Sequence, residues 1–238
     1  MIKKKSNLAD TVYFTLRNRI LRGELRPGTA LREENLSETF QVSRTPLRKA
    51  LTQLMVEGYL TKGKDRTLRI PEISPDQLKD TLAARKLLEI ASVEEAAAKA
   101  TKEDIERLEH LIWDEEEAMR TQDNLLVASI DRMFHNYLAQ TSGNKIYEEF
   151  IGQLGYKVSL YLALSNTLGE VINEALKEHR EILNSVKLRM PDRAAKAMKD
   201  HLDNVERRML ESIKHEEEIS KSPVLSSKKK RYQKRGDL

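Results

Sequence analysis

Between residues 76 and 218 the chain carries apolar residues at helical spacing almost without a break, and only TSGN, TLG and MPD punctuate the run. Such a pattern leaves few folds open. Each helix must bury its apolar stripe against another, so the segment is expected to be an antiparallel helical bundle. The spacing predicts helices near 76–100, 102–121, 124–142, 144–168, 170–188 and 192–217. Composition points the same way, because four Phe, one Trp and 9 Gly in 238 residues supply little for an extended sheet. Cysteine is absent, which excludes disulfides and thiolate metal sites. No apolar run approaches the ~18 residues of a membrane span, and no hydrophobic segment follows the lysine-rich start MIKKK, so a cytoplasmic protein is expected.

The first 73 residues obey a different pattern. LADTVYFTLRNRILR, 8–22, has Leu8, Val12, Leu16 and Ile20 at helical spacing, and GELRPGT then breaks the helix. EENLSETF, 33–40, reads as a short second helix, Gln41 and Val42 as a tight turn, and Ser43 as the N-cap of a third helix. Leu47, Leu51 and Leu54 form the buried stripe of that helix, and Pro46 falls in its first turn, where a missing N–H costs no hydrogen bond. GYL and TLRI read as two short strands around the polar tip TKGKDR. Three helices, a turn and a two-stranded ribbon describe a winged helix-turn-helix. IPEISPDQ, with its two prolines, is the linker. The expected domains are therefore 1–73, DNA-binding; 74–218, a helical effector- and metal-binding and dimerisation domain; and 219–238, a basic disordered tail.

Charge is segregated along these domains. Residues 1–73 hold 15 Lys and Arg against 8 Asp and Glu, or +7; residues 74–218 hold 20 against 29, or −9; the last twenty hold 7 against 1, or +6. A basic module on an acidic body points to a polyanion as partner of the first segment. Arg44 and Arg48 share the face opposite the leucines, at the mouth of the third helix, where the macrodipole disfavours cations. A solvated cationic face accounts for that helix taken alone. With the turn, the wing and the charge segregation, a helix entering the major groove accounts for all of them. Arg44 and Arg48 then meet base edges, and guanidinium bonds N7 and O6 of guanine together. The hydroxyls of Ser43 and Thr45, with the free N–H groups of the helix start, hold phosphates.

The stretch LREENLSETFQVSRTPLRKALTQLMVEGYL closely resembles the winged helix of GntR-family bacterial transcription regulators, whose core reads roughly ELA-x4-VSRTPVREAL-x2-L-x3-G-L. Matching positions are Asn35-Leu36, Val42 to Leu47, Arg48, Ala50, Leu51, Leu54, Gly58 and Leu60. The resemblance implies a DNA-binding regulator with Arg44, Thr45 and Arg48 in contact with DNA and wing contacts from Lys62, Lys64 and Arg66; because one recognition helix reads only a few base pairs, a homodimer on an inverted repeat is expected. Two departures stand out. The glycine that the family usually carries just before its second wing strand is replaced near Thr67, and an arginine that some members place early in the second helix aligns with Glu34.

Helical position sorts the five histidines. His179 has Ala175, Leu176, Ile182 and Leu183 at its i±3 and i±4 neighbours, and His201 has Ala197, Met198 and Val205, so both face inward. His135 follows Asp131 by four residues on a face continued by Val127 and Leu138, whereas His110 and His215 lie among charges and are expected at the surface. One inward histidine is ordinarily a satisfied core residue. Three of them with an aspartate would strand polar groups at ~1–3 kcal/mol each, unless something joins them. A divalent cation does so: three imidazoles and a carboxylate suit Zn, Ni, Mn or Fe(II) and do not choose among them. Residues 74–210 also resemble the FadR-type C-terminal (FCD) ligand-binding domain, from SPDQLKDTLAARKLLEIASVEEAAAKAT through DRMFHNYLAQTSGN and EHREIL to AAKAMKDHLDNV. The metal-binding branch of that family uses an Asp and three His in these contexts, which implies Asp131, His135, His179 and His201 as ligands. It further implies a small carboxylate effector near the metal, with Arg85 of RKLLE facing it.

Other classes fit less well. The chain has no HExxH zincin motif, no P-loop and no ExxH pair at any histidine, so an enzyme is not expected. A regulator stapled by metal but with no metal-linked effector is the alternative. The composite expectation is a repressor acting on bacterial DNA in the cytoplasm, at the nucleoid.

Overall fold

The computed structural model describes residues 7–63, 65–72, 74–164 and 168–221, with backbone alone for 163, 164, 168–173, 212, 213 and 215–221. Lys64 and the tail from 222 onward lie outside the described residues, and so does the side chain of His215. Two compact units result: one holds residues 74–210, and the other holds the described residues before 74 together with those from 211 onward.

The first unit contains α1 (Leu8–Leu21), β1 (Ala30–Leu31), α2 (Glu33–Phe40), α3 (Arg44–Val56), β2 (Thr61–Lys62) and β3 (Leu68–Arg69). Its core is the set of stripes read from the sequence: Val12, Leu16 and Ile20 of α1 and Leu47, Leu51 and Leu54 of α3 are all buried, and the two helices pack together. Gln41 ends α2 in the left-handed region at φ 52, and Ser37 Oγ donates to Val42 O at 2.6 Å to close the turn into α3. Ser43 occupies the N-cap position of α3 with its side chain exposed and makes no capping bond among the described residues.

The ribbon differs from the expectation in two ways. GYL is not a strand: the N–H groups of Tyr59 and Leu60 both donate to Leu54 O, at 2.9 and 3.2 Å, and finish α3, so pairing begins only at Thr61. A third strand, β1, pairs antiparallel with β3 in the order β1-β3-β2, with Ala30 opposite Arg69 and Leu31 opposite Leu68. Two residues beside a Pro/Gly-rich loop carry no periodicity of their own. Pairing with β3 alone makes that strand.

The second unit is built of α4 (Pro75–Lys99), α5 (Lys102–Arg120), α6 (Asn124–Thr141), α7 (Lys145–Leu164), α8 (Leu168–Lys187) and α9 (Pro191–Lys221) as far as Leu210. Caps explain the short joints. Ser74 caps α4, with Pro75 in its first turn; Thr101 and Asp104 form a reciprocal capping box on α5; Asp123 accepts from Leu126 N at 3.0 Å on α6. Arg189, left-handed at φ 53 between α8 and α9, donates to Ala98 O and Ala100 O at 3.2 and 2.7 Å, satisfying carbonyls at the end of α4. Helix α8 begins within the TLG expected as a break, and α9 runs through Lys221, so the first three residues of the expected disordered tail are helical. Leu78, Leu82, Leu108, Leu111, Phe134, Ile182 and Leu202 are among the buried core. None of the helices among the described residues is long and apolar enough to cross a membrane.

Candidate metal centre and nucleic-acid interface

Inside this bundle three helices deliver one imidazole each: His135 from α6, His179 from α8 and His201 from α9, all at most 2% exposed. Their ring nitrogens approach within 4.8 Å of one another. Asp131, one turn before His135, adds Oδ1 at 3.8 Å from His135 Nε2 and 3.5 Å from His179 Nε2. The structure thus brings together all four residues inferred from helical position. His110 is exposed, as its charged neighbours implied.

The outer nitrogens explain how the rings are held. His179 Nδ1 lies 2.9 Å from Glu115 Oε2 of α5, His201 Nδ1 lies 2.7 Å from Glu178 Oε2, and His135 Nδ1 is ion-paired by proximity with Glu89 of α4. A carboxylate bonded at Nδ1 of His179 and His201 favours the proton there and turns the Nε2 lone pair inward, whereas at His135 Glu89 is close to Nδ1 without a hydrogen bond among the described residues. All three Nε2 atoms are buried with no hydrogen-bond partner among the described residues. Buried acceptors are rarely left so. Ligand bonds of ~2.1 Å put neighbouring ligands of one ion ~3–3.5 Å apart, so nitrogens lying within 4.8 Å of one another would draw inward to hold a cation. The residues fit a divalent transition metal.

Electrostatics favour the metal-binding forms of His135, His201 and Asp131 and oppose that of His179. Burial, reinforced by the Arg85 guanidinium, pushes His135 well below its ordinary value, and burial also holds His201 down despite the Glu178 hydrogen bond. Burial opposes charge on His179 too, but Glu115 and then Asp131 outweigh it and raise that imidazole. Asp131 is lowered: burial would raise it, and the imidazoles with Arg85 overcome burial. Neutral imidazoles and an ionised carboxylate are the forms that bind a metal.

Arg85 is buried, 3% exposed, and ion-paired with Glu89 four residues on. It therefore belongs to the same polar cluster, joined to His135 through Glu89. Helical periodicity missed Glu89, Glu115 and Glu178. The first two were detectable in principle: Glu89 stands between Leu82 and Val93 on α4, and Glu115 between Leu111 and Ala118 on α5, acids on apolar stripes. Glu178 adjoins His179 off the stripe and is held by tertiary contacts only, accepting from Arg208 Nη1 and Nη2 at 2.9 and 3.0 Å and from Asn204 Nδ2 at 2.9 Å. Burial opposes this carboxylate, yet His201 and Arg208 hold it down at about 2.

The first unit presents the opposite kind of surface. Ser43, Arg44, Thr45 and Arg48 are all exposed along the start of α3, while Leu47 and Leu51 anchor the other face. Arg44 has no ion-pair partner among the described residues, whereas Arg48 Nε bonds Glu33 Oε2 of α2 at 2.8 Å. In the wing, Lys62 and Arg66 are exposed. Arg66 takes the left-handed conformation at φ 63, the kind of position a glycine fills without strain. Asp65 braces the tip, accepting from Thr67 N at 3.1 Å and Arg69 Nη2 at 2.8 Å. A wing lacking the usual glycine closes in this way.

A winged helix with cations at the mouth of its third helix, joined in one chain to a bundle with a buried imidazole–carboxylate cluster, defines a two-domain DNA-binding regulator. Residues 8–68 match the bacterial regulatory proteins of the gntR family, and residues 80–204 match the FCD domain. The chain belongs to the GntR family, carries an FCD domain, and is a DNA-binding transcription regulator, not an enzyme. It is similar to the HTH-type transcriptional regulator McbR of Escherichia coli K12, 30% identical over 179 residues, spanning 75% of this chain and 80% of the relative. The Uxu operon regulator of Haemophilus influenzae is 29% identical over 199 residues, 75% of this chain and 73% of the relative. The solved structure of E. coli McbR/YncC shares the fold, with a TM-score of 0.72 at 22% identity, covering 90% of this chain and all of that one.

Proposed function

We propose that the protein is a homodimeric repressor that acts at the nucleoid, in the bacterial cytoplasm, and loses operator affinity when its bundle binds a small carboxylate at a divalent metal. The carrying observation is the set of three buried Nε2 atoms without hydrogen-bond partners among the described residues, with a glutamate close behind each ring. Asp131, His135, His179 and His201 are assigned as ligands to Zn, Ni, Mn or Fe. Bound there, such an ion supplies open coordination positions to a carboxylate. Arg85, already beside Asp131 and Glu89, supplies the counter-charge.

One recognition helix reads only a few base pairs, so useful specificity calls for two half-sites about one helical turn apart, in an inverted repeat. Arg44 and Arg48 read bases, Ser43 and Thr45 hold phosphates, and Lys62, Lys64 and Arg66 add wing contacts. Coupling between effector and operator is expected at ~1–3 kcal/mol, about 5–150-fold, and must be reciprocal. The test measures operator affinity with and without sugar acids and hydroxy acids, in wild type and in His179→Ala. An effector response in wild type and its loss with the metal in the variant supports the mechanism. A variant that loses its metal and keeps its response refutes it, and leaves the metal as a staple of the bundle.

A further inference from the structure

We infer that Glu33, at the start of α2, is a specificity-determining residue: it holds the Arg48 guanidinium by its Nε edge and presents the Nη edge to a guanine. The inference rests on the reading of Arg48 as a base contact. Its observation is the 2.8 Å ion pair between Arg48 Nε and Glu33 Oε2, which bridges the two helices of the helix-turn-helix across fifteen residues of sequence.

Three features make this pair more than a surface contact. First, the guanidinium is a rigid fork, so fixing Nε fixes the direction of the two Nη groups. Those groups carry the parallel N–H donors that match O6 and N7 of guanine, and neither has an ion-pair partner among the described residues. Second, Arg48 is 62% exposed, and a long exposed side chain held in one rotamer before binding has less freedom to lose on binding. Arg44, the neighbouring cation, has no such brace among the described residues and remains adaptable. Third, a carboxylate at a DNA-facing surface repels phosphate, so Glu33 weakens binding wherever no guanine repays Arg48. The same residue therefore aids the correct site and penalises others.

A merely stabilising ion pair would affect all duplexes alike. This one is expected to weaken the preferred duplex and not the random one. The experiment uses the full chain and two duplexes, one selected by the wild-type protein from a random pool and one scrambled. Glu33→Gln is expected to lower the preference ratio roughly five-fold, part of the discrimination a bidentate guanine contact provides. Its affinity for the scrambled duplex should stay level or rise, with an unchanged unfolding midpoint. Glu33→Asp keeps the charge but shortens the reach, and should also lower the ratio, which separates orientation from charge alone. Arg48→Ala should lower the ratio at least as far, and adding Glu33→Gln to it should change the ratio no further. If Arg48→Ala lowers the ratio and Glu33→Gln does not, the role of Glu33 is overturned and the reading of Arg48 stands. If Glu33→Gln still lowers the ratio in the Arg48→Ala background, Glu33 acts by another route and the inference is equally overturned. If Arg48→Ala leaves the ratio unchanged, the base-reading role of Arg48 itself fails.

Discussion

The two functional regions solve opposite problems with similar residue types. On α3 the charged side chains stand in water and are held loosely, Arg44 without an ion-pair partner among the described residues and Arg48 by one exposed bond. In the bundle, His135, His179, His201, Arg85, Glu89 and Glu115 are all at most 3% exposed, and each is tied to another. An exposed cation keeps its hydration until a polyanion arrives, so its local position suffices. A buried polar group tolerates no such freedom, because desolvation has already been incurred and every missing partner is costly. The surface site can thus be edited residue by residue, whereas the interior one should respond as a unit.

The largest expected effect breaks that unit. Glu89→Ala strands the buried Arg85 guanidinium and releases His135, and should cost ~3–5 kcal/mol of stability in urea unfolding. A loss below about 1 kcal/mol would place Glu89 in the same loosely coupled class as the surface pairs. Next, Glu115→Gln removes the carboxylate behind His179 while keeping its shape, and should weaken metal binding roughly 10–100-fold in a competition titration. On the other side of the comparison, Arg44→Ala should cost ~1–3 kcal/mol on the preferred duplex with little change in unfolding midpoint, as read by fluorescence anisotropy. Equal loss on random duplexes would reduce Arg44 to a phosphate contact.

Legibility followed the same division. The exposed face at the start of α3 depends on N-terminal position and i, i+4 spacing, both local, so the placement of Arg44 and Arg48 was legible in the sequence along with the leucines behind them. The histidines and Asp131 were visible because an amphipathic helix announces its inward face. Glu89 and Glu115 were detectable only as acids on apolar stripes, and their partners were not, since Glu89 meets His135 across α4 and α6, and Glu115 meets His179 across α5 and α8. Strand β1 escaped for a related reason, its two residues being ordered by β3 alone.

The smallest expected effect lies in a solvated cap of the bundle. Thr101→Ala removes the capping box of α5 and should cost ~1 kcal/mol. Burial opposes the Asp104 carboxylate, but its bonds from Thr101 and Tyr137 hold it below its ordinary 3.8. A lowered carboxylate stabilises the fold above its unfolded value and loses that contribution as pH falls through the folded one. Asp104→Asn should therefore flatten the loss of stability below about pH 4 and leave the metal content untouched. A metal content that followed this variant would couple the exposed and buried networks after all.

One measurement bears most directly on the buried cluster: a titration of the metal-stripped full chain with Zn or Ni, followed by X-ray absorption at the metal edge. The account predicts one ion per chain, with three imidazoles among nitrogen and oxygen ligands, and loss of that signature in His179→Ala and His201→Ala alike. A folded wild-type chain that takes up no ion, or an ion whose spectrum is unchanged when either histidine is removed, would contradict it.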